Sequence, residues 1–251
     1  MKKILLIGSE GVLGKYFKTK LSNKKNILFL ADIKNNRKYT KKNVHHFRLD
    51  LRSEKQIKDL FERIYKKFGK IDVLINNAGL TTEGIKNLKI KNLKKESYDT
   101  NIWDTTISIN LRGVFLCTKY FLQFHHNRKK LQKVINVGSI YGSHSPHHEI
   151  YKGLNFFSSL AYTTSKSGLI GFTKWLATKY SKQLTTFNII SPAGVYNKQP
   201  KKFMKNYLKL IPNNKMAHQK DIFSILNFLV HDSTNYLTGQ NIHIDGGFSS
   251  W

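Results

Sequence analysis

The chain has 251 residues, of which 40 % are hydrophobic, which excludes a disordered or collagen-like protein and is enough for one large α/β domain. Lysine and arginine (43) outnumber aspartate and glutamate (15), for a formal net charge of +28. Such a surplus suits nucleic acid, an acidic carrier protein or an anionic membrane. Only 6 of these residues are arginine, the preferred side chain for bidentate phosphate and base contacts. We therefore attribute the charge to compositional drift and expect no specific nucleic-acid partner.

A single cysteine, Cys117, excludes a disulfide framework and a cysteine-based zinc site, and it indicates a reducing compartment. No apolar run is long enough to span a membrane, and Gly8 ends the first apolar run well before the length of a signal peptide. We therefore expect a cytoplasmic protein without a membrane partner.

Short β-branched and aliphatic runs alternate along the chain with longer segments of helical period. Because these runs are apolar on both faces, they predict a doubly wound α/β fold, a parallel sheet with helices on both faces. No linker or repeat divides the sequence, so we predict one domain over residues 1–251, with an exposed excursion at Ile85–Lys95. The predicted strands are Ile4–Ile7, Ile27–Leu30, His46–Leu49, Ile71–Ile75, Val134–Val137, Thr186–Ile190 and Ile242–Ile244.

The first predicted strand leads into three spaced glycines, Gly8, Gly11 and Gly14, and a helical pattern covers Val12–Leu21. Glycines at this position let the backbone approach a pyrophosphate, and the helix N-terminus supplies unpaired N–H groups. Asp32 ends the second strand, where a carboxylate can bind both adenosine ribose hydroxyls. This order predicts a Rossmann-like dinucleotide site, whereas the alternative for Asp32 is a solvated strand-end carboxylate.

The carboxylate of Asp32 would repel a ribose 2′-phosphate, so the sequence favours NAD(H) over NADP(H). Lys34 and Arg37 lie close enough in sequence to weaken this preference. Lysine is so common in this chain that their presence is poor evidence for NADP(H).

A tyrosine and a lysine, Tyr162 and Lys166, are spaced so that both lie on one face of a helix. A nearby ammonium lowers a tyrosine pKa from its ordinary value of about 10 and allows proton exchange near neutrality. Tyr16 and Lys20 share the spacing, but they belong to the helix after the glycine loop, where packing is expected.

Two further polar residues, Ser139 and Asn110, are candidates for the same site. Ser139 follows a buried strand, and the carboxyl ends of parallel strands face the ligand crevice. Asn110 is an amide in an otherwise apolar helical segment, where a contact with water or backbone is the alternative to a catalytic role.

Together these residues resemble the single-domain branch of the short-chain dehydrogenase/reductase family over essentially the whole chain. The resemblance implies an NAD(P)-dependent oxidoreductase that interconverts a hydroxyl and a carbonyl on a small-molecule substrate. Tyr162 would be the general acid/base, Lys166 would hold the nicotinamide ribose, Ser139 would polarise the carbonyl and Asn110 would position a relay water. Further matching strings are Asp50, Asn76-Asn77-Ala78-Gly79, Ser191-Pro192-Ala193-Gly194, Tyr236–Gln240 and Asp245-Gly246-Gly247.

The same resemblance implies the residues that bind the cofactor. Asp50 and Asn76 would flank the adenosine, and Val195 would offer backbone to the carboxamide. The full set is Gly8, Glu10, Gly11, Val12, Leu13, Gly14, Asp32, Asp50, Leu51, Asn76, Asn77, Ala78, Gly79, Tyr162, Lys166, Pro192, Gly194 and Val195.

Two departures from the family pattern stand out. The glycine loop has the G-x-x-G-x-x-G form of the extended branch, yet the few residues after Asp245 leave no room for that branch's C-terminal domain. Ala193 separates the usual Pro-Gly pair.

Helices within 102–124 and 168–180 form a subunit interface in this family. The resemblance therefore implies a homotetramer or homodimer, with Trp251 packed against a neighbouring subunit.

The strings Gly194–Asn197 and Thr238–Trp251 resemble a subgroup of bacterial oxidoreductases linked to flagellin modification and surface-polysaccharide sugars. We therefore expect a sugar or sugar derivative as substrate. The alternatives are a 3-ketoacyl-carrier-protein reductase and, outside enzymes, a nucleotide-sensing or nucleic-acid-binding protein.

Two unusually long intervals, Gly79–Asn110 and Ser139–Tyr162, are expected at the mouth of the crevice, where their polar side chains would bind a polyhydroxylated ligand. His-x-x-His-His could ligate a metal, but an exposed loop is the preferred interpretation and we expect no metal. These polar residues are Thr81, Thr82, Asn87, Ser143, His144, Ser145, His147, His148 and Asn155.

Overall fold

Seven parallel strands form one sheet in the order β3-β2-β1-β4-β5-β6-β7. The structure is a computed structural model that describes residues 1–34, 41–81, 84, 99–124, 130–154 and 156–250. The strands are β1 (Lys2–Ile7), β2 (Asn26–Asp32), β3 (Val44–Arg48), β4 (Val73–Asn76), β5 (Gln132–Val137), β6 (Thr185–Pro192) and β7 (Asn241–Ile244).

Helices cover both faces of this sheet, which confirms the predicted doubly wound α/β fold. The helices are α1 (Val12–Leu21), α2 (Glu54–Phe68), α3 (Thr100–Ile107), α4 (Gly113–Gln123), α5 (Leu160–Lys179), α6 (Lys201–Leu208) and α7 (Gln219–His231). A π-helical turn, Ser108–Arg112, joins α3 to α4.

Two apolar layers hold the helices to the sheet. On one face, Phe61 of α2 and Phe121 of α4 pack with Leu176 of α5 in a buried cluster. On the other face, Phe17 of α1 and Leu226 of α7 form a second cluster with strand residues. The central strands β1, β4, β5 and β6 are thus mainly buried, as their continuous apolar runs predict, whereas the edge strands β3 and β7 are largely half-buried.

The direction of strand order reverses at β1, which pairs in parallel with β2 on one side and β4 on the other. In a doubly wound sheet, a crevice opens at this switch point, outside the carboxyl ends of the strands. The residues after β1, β4, β5 and β6 therefore meet at one edge of the sheet.

A third apolar cluster lies over that edge, and the sequence patterns did not predict it. It includes Phe203 and Tyr207 of α6 and Ile150 of the short 3₁₀ helix His148–Tyr151. This 3₁₀ helix belongs to the long interval between Ser139 and Tyr162, which we call the insert (residues 140–161). The insert and α6 together close one end of the crevice.

Predicted strand limits differ from the observed ones by up to two residues. The predicted strand at Ile71–Ile75 begins at Val73, since Asp72 binds the Lys3 backbone N–H through its carboxylate at 2.8 Å. The predicted excursion Ile85–Lys95 lies outside the described residues, as do Thr82, Asn87, Asn155, Arg37 and Trp251. Among the described residues no helix is both long and apolar enough to span a bilayer.

Candidate active site

The glycine loop after β1 contains glycines with two different functions. Gly8 has φ +83°, and a Cβ there would lie 2.5 Å from the backbone of Ala78. A Cβ on Gly14 would lie 2.1 Å from the Gly8 carbonyl oxygen, so these two glycines allow close packing of loop, strand and helix. The nearest atom to a Cβ on Gly11 is 3.8 Å away. Gly11, at the N-terminus of α1, thus lies in the open part of the loop, where a pyrophosphate would bind.

Asp32 is held at the rim of the crevice by two backbone groups. The N–H of Glu10 donates to its Oδ2 at 2.9 Å, and the N–H of Lys34 donates to its Oδ1 at 2.9 Å. An ionised carboxylate has about four lone-pair sites. Two sites therefore remain for a ribose diol, which fits the predicted function of Asp32.

A cleft of about 1270 Å³ runs along the carboxyl edge of the sheet. It is larger than a typical site for one small molecule (about 300–1,000 Å³). Most of the predicted site residues line it: Gly8, Glu10, Gly11, Val12, Leu13, Asp32, Asp50, Leu51, Asn77, Ala78, Gly79, Ser139, Tyr162, Lys166, Pro192, Gly194 and Val195. The cleft thus fits an extended dinucleotide with space for a substrate beside it.

Three predicted site residues, Gly14, Asn76 and Asn110, do not line the cleft. The side chain of Asn76 is buried between the sheet and α4, where its Nδ2 donates to Asn136 Oδ1 at 2.9 Å. The adenosine contact predicted for this side chain therefore needs correction. Its neighbour Asn77 supports the glycine loop instead, through a 2.7 Å hydrogen bond to the Gly8 carbonyl.

Asp50 lines the cleft but is already paired. The Nη2 of Arg52 donates to its Oδ2 at 2.6 Å, and the Nε of Arg52 donates to its Oδ1 at 3.0 Å. The hydrogen bonds from Arg52 hold the pKa of Asp50 below its ordinary value. Asp50 is thus an ionised, oriented acceptor beside the predicted adenosine position.

Tyr162 and Lys166 lie on the first turns of α5, as the sequence predicts. The helix begins after Ser159, whose hydroxyl accepts from the Tyr162 backbone N–H at 3.2 Å. The Nζ of Lys166 lies 5.7 Å from the centroid of the Tyr162 ring and donates to the Val137 carbonyl at 2.8 Å. Ser139 lies close enough to the Tyr162 hydroxyl to lower the pKa of that phenol. The structure thus brings Ser139, Tyr162 and Lys166 together.

The pKa values at this site differ from the sequence expectation. Burial raises the pKa of Tyr162, and only the Ser139 hydrogen bond opposes this increase. Burial also lowers the pKa of Lys166 to about 8. The decrease in the Tyr162 pKa expected from Lys166 is therefore not found in the protein alone, where the ammonium is bound to the Val137 carbonyl.

Asn110 is at the centre of the π-helical turn, where the sequence predicts regular helix. Its Oδ1 accepts from the Leu80 N–H at 2.6 Å, and its Nδ2 donates to the Leu80 carbonyl at 3.1 Å. The Nδ2 also donates to Ser165 Oγ at 3.2 Å. Asn110 thus links the segment after β4 to α5 from a buried position, which matches the backbone-bridging alternative. π-Helical turns are frequent at functional sites.

The substrate end of the cleft is lined by aromatic side chains that sequence reasoning did not assign to the site. Phe203 of α6 packs against Tyr151 (ring centroids 5.6 Å apart) and against Phe156 (5.2 Å). The hydroxyl of Tyr207 accepts from the Gly194 N–H at 2.6 Å. Aromatic residues at Tyr151 and Phe156 in the insert are the signal that could have found this wall.

The polar side chains of the insert have a different position from the one we expected. His144 and His147 pack edge-on against Phe248, and the hydroxyl of Ser143 is 2.9 Å from His243 Nε2. None of the polar residues named for the insert that are described lines the cleft. The expectation that they bind substrate is therefore wrong, because they connect the insert to β7 and the C-terminal segment or face solvent.

The glycine loop, the carboxylate at β2 and the Ser-Tyr-Lys group in one cleft define a nicotinamide-dependent oxidoreductase. Residues 23–249 match the family model described as enoyl-(acyl carrier protein) reductase. The chain belongs to the short-chain dehydrogenase/reductase family, whose enzymes act on hydroxyl and carbonyl groups.

Two relatives cover almost the whole chain. The chain is 31 % identical over 258 aligned positions to the 3-oxoacyl-[acyl-carrier-protein] reductase FabG of Buchnera aphidicola subsp. Baizongia pistaciae, covering 98 % of this chain and 97 % of that protein. It is 26 % identical to the post-translational flagellin modification protein A of Campylobacter coli, with 98 % of each chain covered. These relatives represent the two enzyme classes that the sequence left open.

The fold is also that of a solved relative with its cofactor. The short chain dehydrogenase of Leptospira borgpetersenii with bound NAD⁺ has a TM-score of 0.87 and 27 % identity, covering 98 % of this chain and 92 % of that chain. This similarity supports binding of a nicotinamide cofactor in the cleft.

Proposed function

We propose that this protein is an NAD(H)-dependent oxidoreductase that interconverts a hydroxyl and a carbonyl on a sugar or sugar derivative used in surface-glycan biosynthesis. The observation that carries the proposal is the cleft, in which the Ser139–Tyr162–Lys166 group lies between the glycine loop and an aromatic wall. Aromatic faces and phenol hydroxyls suit a ring-shaped, hydroxylated ligand.

The hydroxyl of Tyr162 exchanges the catalytic proton with the substrate oxygen. A bound nicotinamide supplies the hydride donor or acceptor. Ser139 donates to the substrate oxygen and keeps it beside the Tyr162 hydroxyl, while the ammonium of Lys166 favours the phenolate when the proton leaves. Asn110 fixes the Leu80 segment and α5 relative to each other, so that Lys166 keeps its position.

Preference for NAD(H) follows from Asp32. Its carboxylate lies at the cleft rim and has lone pairs for two ribose hydroxyls, whereas a 2′-phosphate would meet a like charge. Lys34 lies beside it in the cleft and reduces this repulsion. NADP(H) is therefore the less favoured cofactor.

The aromatic wall also supports the substrate class. No lysine or arginine from the described parts of the insert or from α6 lines the cleft. Apart from Ile140 and Ser158, the lining there consists of phenyl and phenol rings, which give flat apolar surfaces and single hydroxyl groups. A sugar ring has an apolar C–H face that can stack on these rings and hydroxyls that can bond to the phenols, so it suits this surface.

A 3-oxoacyl-carrier-protein reductase is the second candidate, and a specific observation favours it. Several relatives carry that activity in their names, at 31 % and 32 % identity for two Buchnera proteins. A pocket for an acyl chain would have a contiguous aliphatic lining. The phenols of Tyr141, Tyr151 and Tyr207 are poorly suited to such a chain.

A side-by-side assay separates the two candidates. Oxidation and reduction of NAD(H) are followed with hydroxy- and keto-sugars, their phosphate and nucleotide derivatives, and 3-ketoacyl thioesters. We expect turnover within the sugar panel and negligible activity on the thioesters. Clear preference for an acyl thioester would reject the sugar proposal and favour the second candidate.

We propose a homotetramer or homodimer as the functional state. Phe115 of α4 and Trp175 of α5 are 48 % and 60 % exposed, on the helices that the family resemblance assigns to the interface. Large apolar side chains exposed on adjacent helices are typical of subunit contacts. Sedimentation at several protein concentrations tests this proposal, and a monomer at all of them would contradict it.

We also propose a cytoplasmic location, which the single buried thiol of Cys117 supports.

A further inference from the structure

Two tyrosines form a phenol pair beside the catalytic tyrosine. The hydroxyls of Tyr141 and Tyr151 are 3.1 Å apart. Tyr141 lies two residues after Ser139 in a 3₁₀ turn, and Tyr151 ends the 3₁₀ helix of the insert. Both side chains line the cleft, and Tyr162 is close enough that charge on its phenol would raise the pKa of either.

Packing fixes the position of this pair. Tyr141 is 8 % exposed, and the ring of Tyr151 packs against Phe156 at 5.8 Å and Phe203 at 5.6 Å between centroids. Tyr207 lines the same end of the cleft, but its hydroxyl already accepts from the Gly194 N–H. The Tyr151 hydroxyl is thus a rigidly held polar group in an otherwise aromatic wall.

The pair has hydrogen-bonding capacity that it does not use internally. Burial raises the pKa of both phenols, so both are neutral at physiological pH. Two phenols carry two hydrogens, and one hydrogen bond between them uses only one. Whichever of them donates, Tyr151 keeps either a hydrogen or a lone pair for a ligand in the cleft. A ligand hydroxyl can use this remaining capacity when it fills the cleft, whereas an apolar group at the same position excludes water from the phenol without replacing the hydrogen bond.

We propose that Tyr151 is a substrate-binding residue, oriented by Tyr141, that makes the enzyme select substrates with a second hydroxyl close to the reacting carbon. The chemical class is a vicinal diol or the corresponding hydroxyketone. This inference rests on the proposed function, because it specifies which feature of a sugar the site recognises. A substrate hydroxyl can donate to Tyr151 or accept from it, whereas a methylene at the same position leaves the phenol unpaired.

Two matched pairs of substrates test the inference, one of them independently of sugars. One pair is cyclohexane-1,2-diol and cyclohexanol, and the other is a sugar substrate and its analogue deoxygenated beside the reacting carbon. In the wild type we expect kcat/KM to be about 10- to 100-fold higher for the diol of each pair. Tyr151→Phe should remove most of this preference, mainly by raising KM for the diol, and should change the deoxy substrate by less than about threefold.

Two more variants complete the test. Tyr141→Phe leaves the Tyr151 hydroxyl in place without its orienting partner, so the diol preference should fall part of the way. Tyr236→Phe is the control, because Tyr236 is 96 % exposed and outside the cleft lining, and it should retain the wild-type preference.

Two outcomes overturn the inference. One is a wild type whose kcat/KM for a diol is no higher than for the deoxy analogue and whose affinity for the diol, measured by NADH fluorescence, is no higher either. Another is a Tyr151→Phe variant that loses diol and deoxy activity equally, since that would show a structural function only. Activity on cyclic diols without activity on sugars would reject the proposed function and leave the function of Tyr151 supported.

Discussion

The two halves of the cleft are built differently. In the cofactor half, close backbone packing fixes the glycine loop after β1, because a Cβ on Gly8 or Gly14 would overlap backbone atoms, and Asp32 and Ala78 lie at or just after neighbouring strand ends. The substrate half consists of side chains from the insert and α6, which meet only in the folded chain. A backbone site tolerates few changes of geometry, whereas a side-chain wall can change its specificity by single substitutions.

The largest effect is expected at the junction of the two halves. Tyr162→Phe removes the hydroxyl that exchanges the proton and keeps the ring, so kcat should fall by about 10³-fold or more while NADH binding stays nearly unchanged. Steady-state rates and NADH fluorescence measure the two quantities separately. A variant that retained more than a tenth of the wild-type kcat would show that Tyr162 is not the general acid/base.

The difference between the halves also explains what could be predicted from sequence. Gly8, Asp32 and the Tyr162–Lys166 pair are recognisable because each lies within one strand-loop-helix unit, where local pattern fixes position. The aromatic residues of the insert are visible in the sequence, but their assembly into a wall with α6 is not, because the contact between Tyr151 and Phe203 joins segments 52 residues apart. The neighbours Asn76 and Asn77 have different functions, because side chains alternate along an extended segment. Asn76 faces the core, and Asn77 supports the glycine loop. A match to the family motif does not distinguish them.

The insert shows a second limit of sequence reasoning. Its histidines and serines suggested a polar pocket, yet His144 and Ser143 contact the region of His243 and Phe248. Composition alone does not specify which face of a loop turns inward. In this loop, burial of the aromatic side chains decided the orientation, since each buried aromatic removes a large apolar area from water.

A pair of glycine substitutions tests whether the cofactor half depends on backbone packing. A Cβ on Gly14 would overlap the Gly8 carbonyl at 2.1 Å, so Gly14→Ala should reduce the free energy of unfolding by about 3 kcal/mol. A Cβ on Gly11 has no protein atom closer than 3.8 Å, so Gly11→Ala should leave stability nearly unchanged and weaken NADH binding. Urea denaturation and NADH titration separate the two effects. Equal stability of both variants would contradict the assignment.

Asp32 tests the one side chain on which the choice of cofactor depends. Asp32→Ala removes the acceptor of both ribose hydroxyls and the repulsion of a 2′-phosphate, so NADH should bind about 10- to 100-fold more weakly and the preference over NADPH should narrow. Lys34→Ala is the opposing variant: it keeps the backbone N–H that donates to Asp32 but removes a positive charge from the cleft, so the preference for NADH over NADPH should widen. A wild type that already prefers NADPH would contradict this account of Asp32.

The smallest expected effect concerns the stability contribution of the buried ammonium of Lys166. Its pKa is about 8 in the folded protein against an ordinary value of 10.5. Below pH 8 the folded state therefore holds a buried charge at a cost of up to about 3 kcal/mol, partly offset by the hydrogen bond to the Val137 carbonyl. Without cofactor, Lys166→Met should thus be more stable than the wild type at pH 7, by about 1–2 kcal/mol.

The stability difference between Lys166→Met and the wild type should depend on pH. Between pH 8 and 10.5 the unfolded chain still binds the Lys166 proton while the folded protein has released it, so the stability of the wild type rises across this window. The advantage of Lys166→Met should therefore be constant below pH 8 and shrink as the pH rises towards 10.5. Urea denaturation at a series of pH values measures it, with Lys174→Met, an exposed lysine of the same helix, as the control. An advantage that does not change with pH would show that the substitution acts through packing rather than through removal of a buried charge.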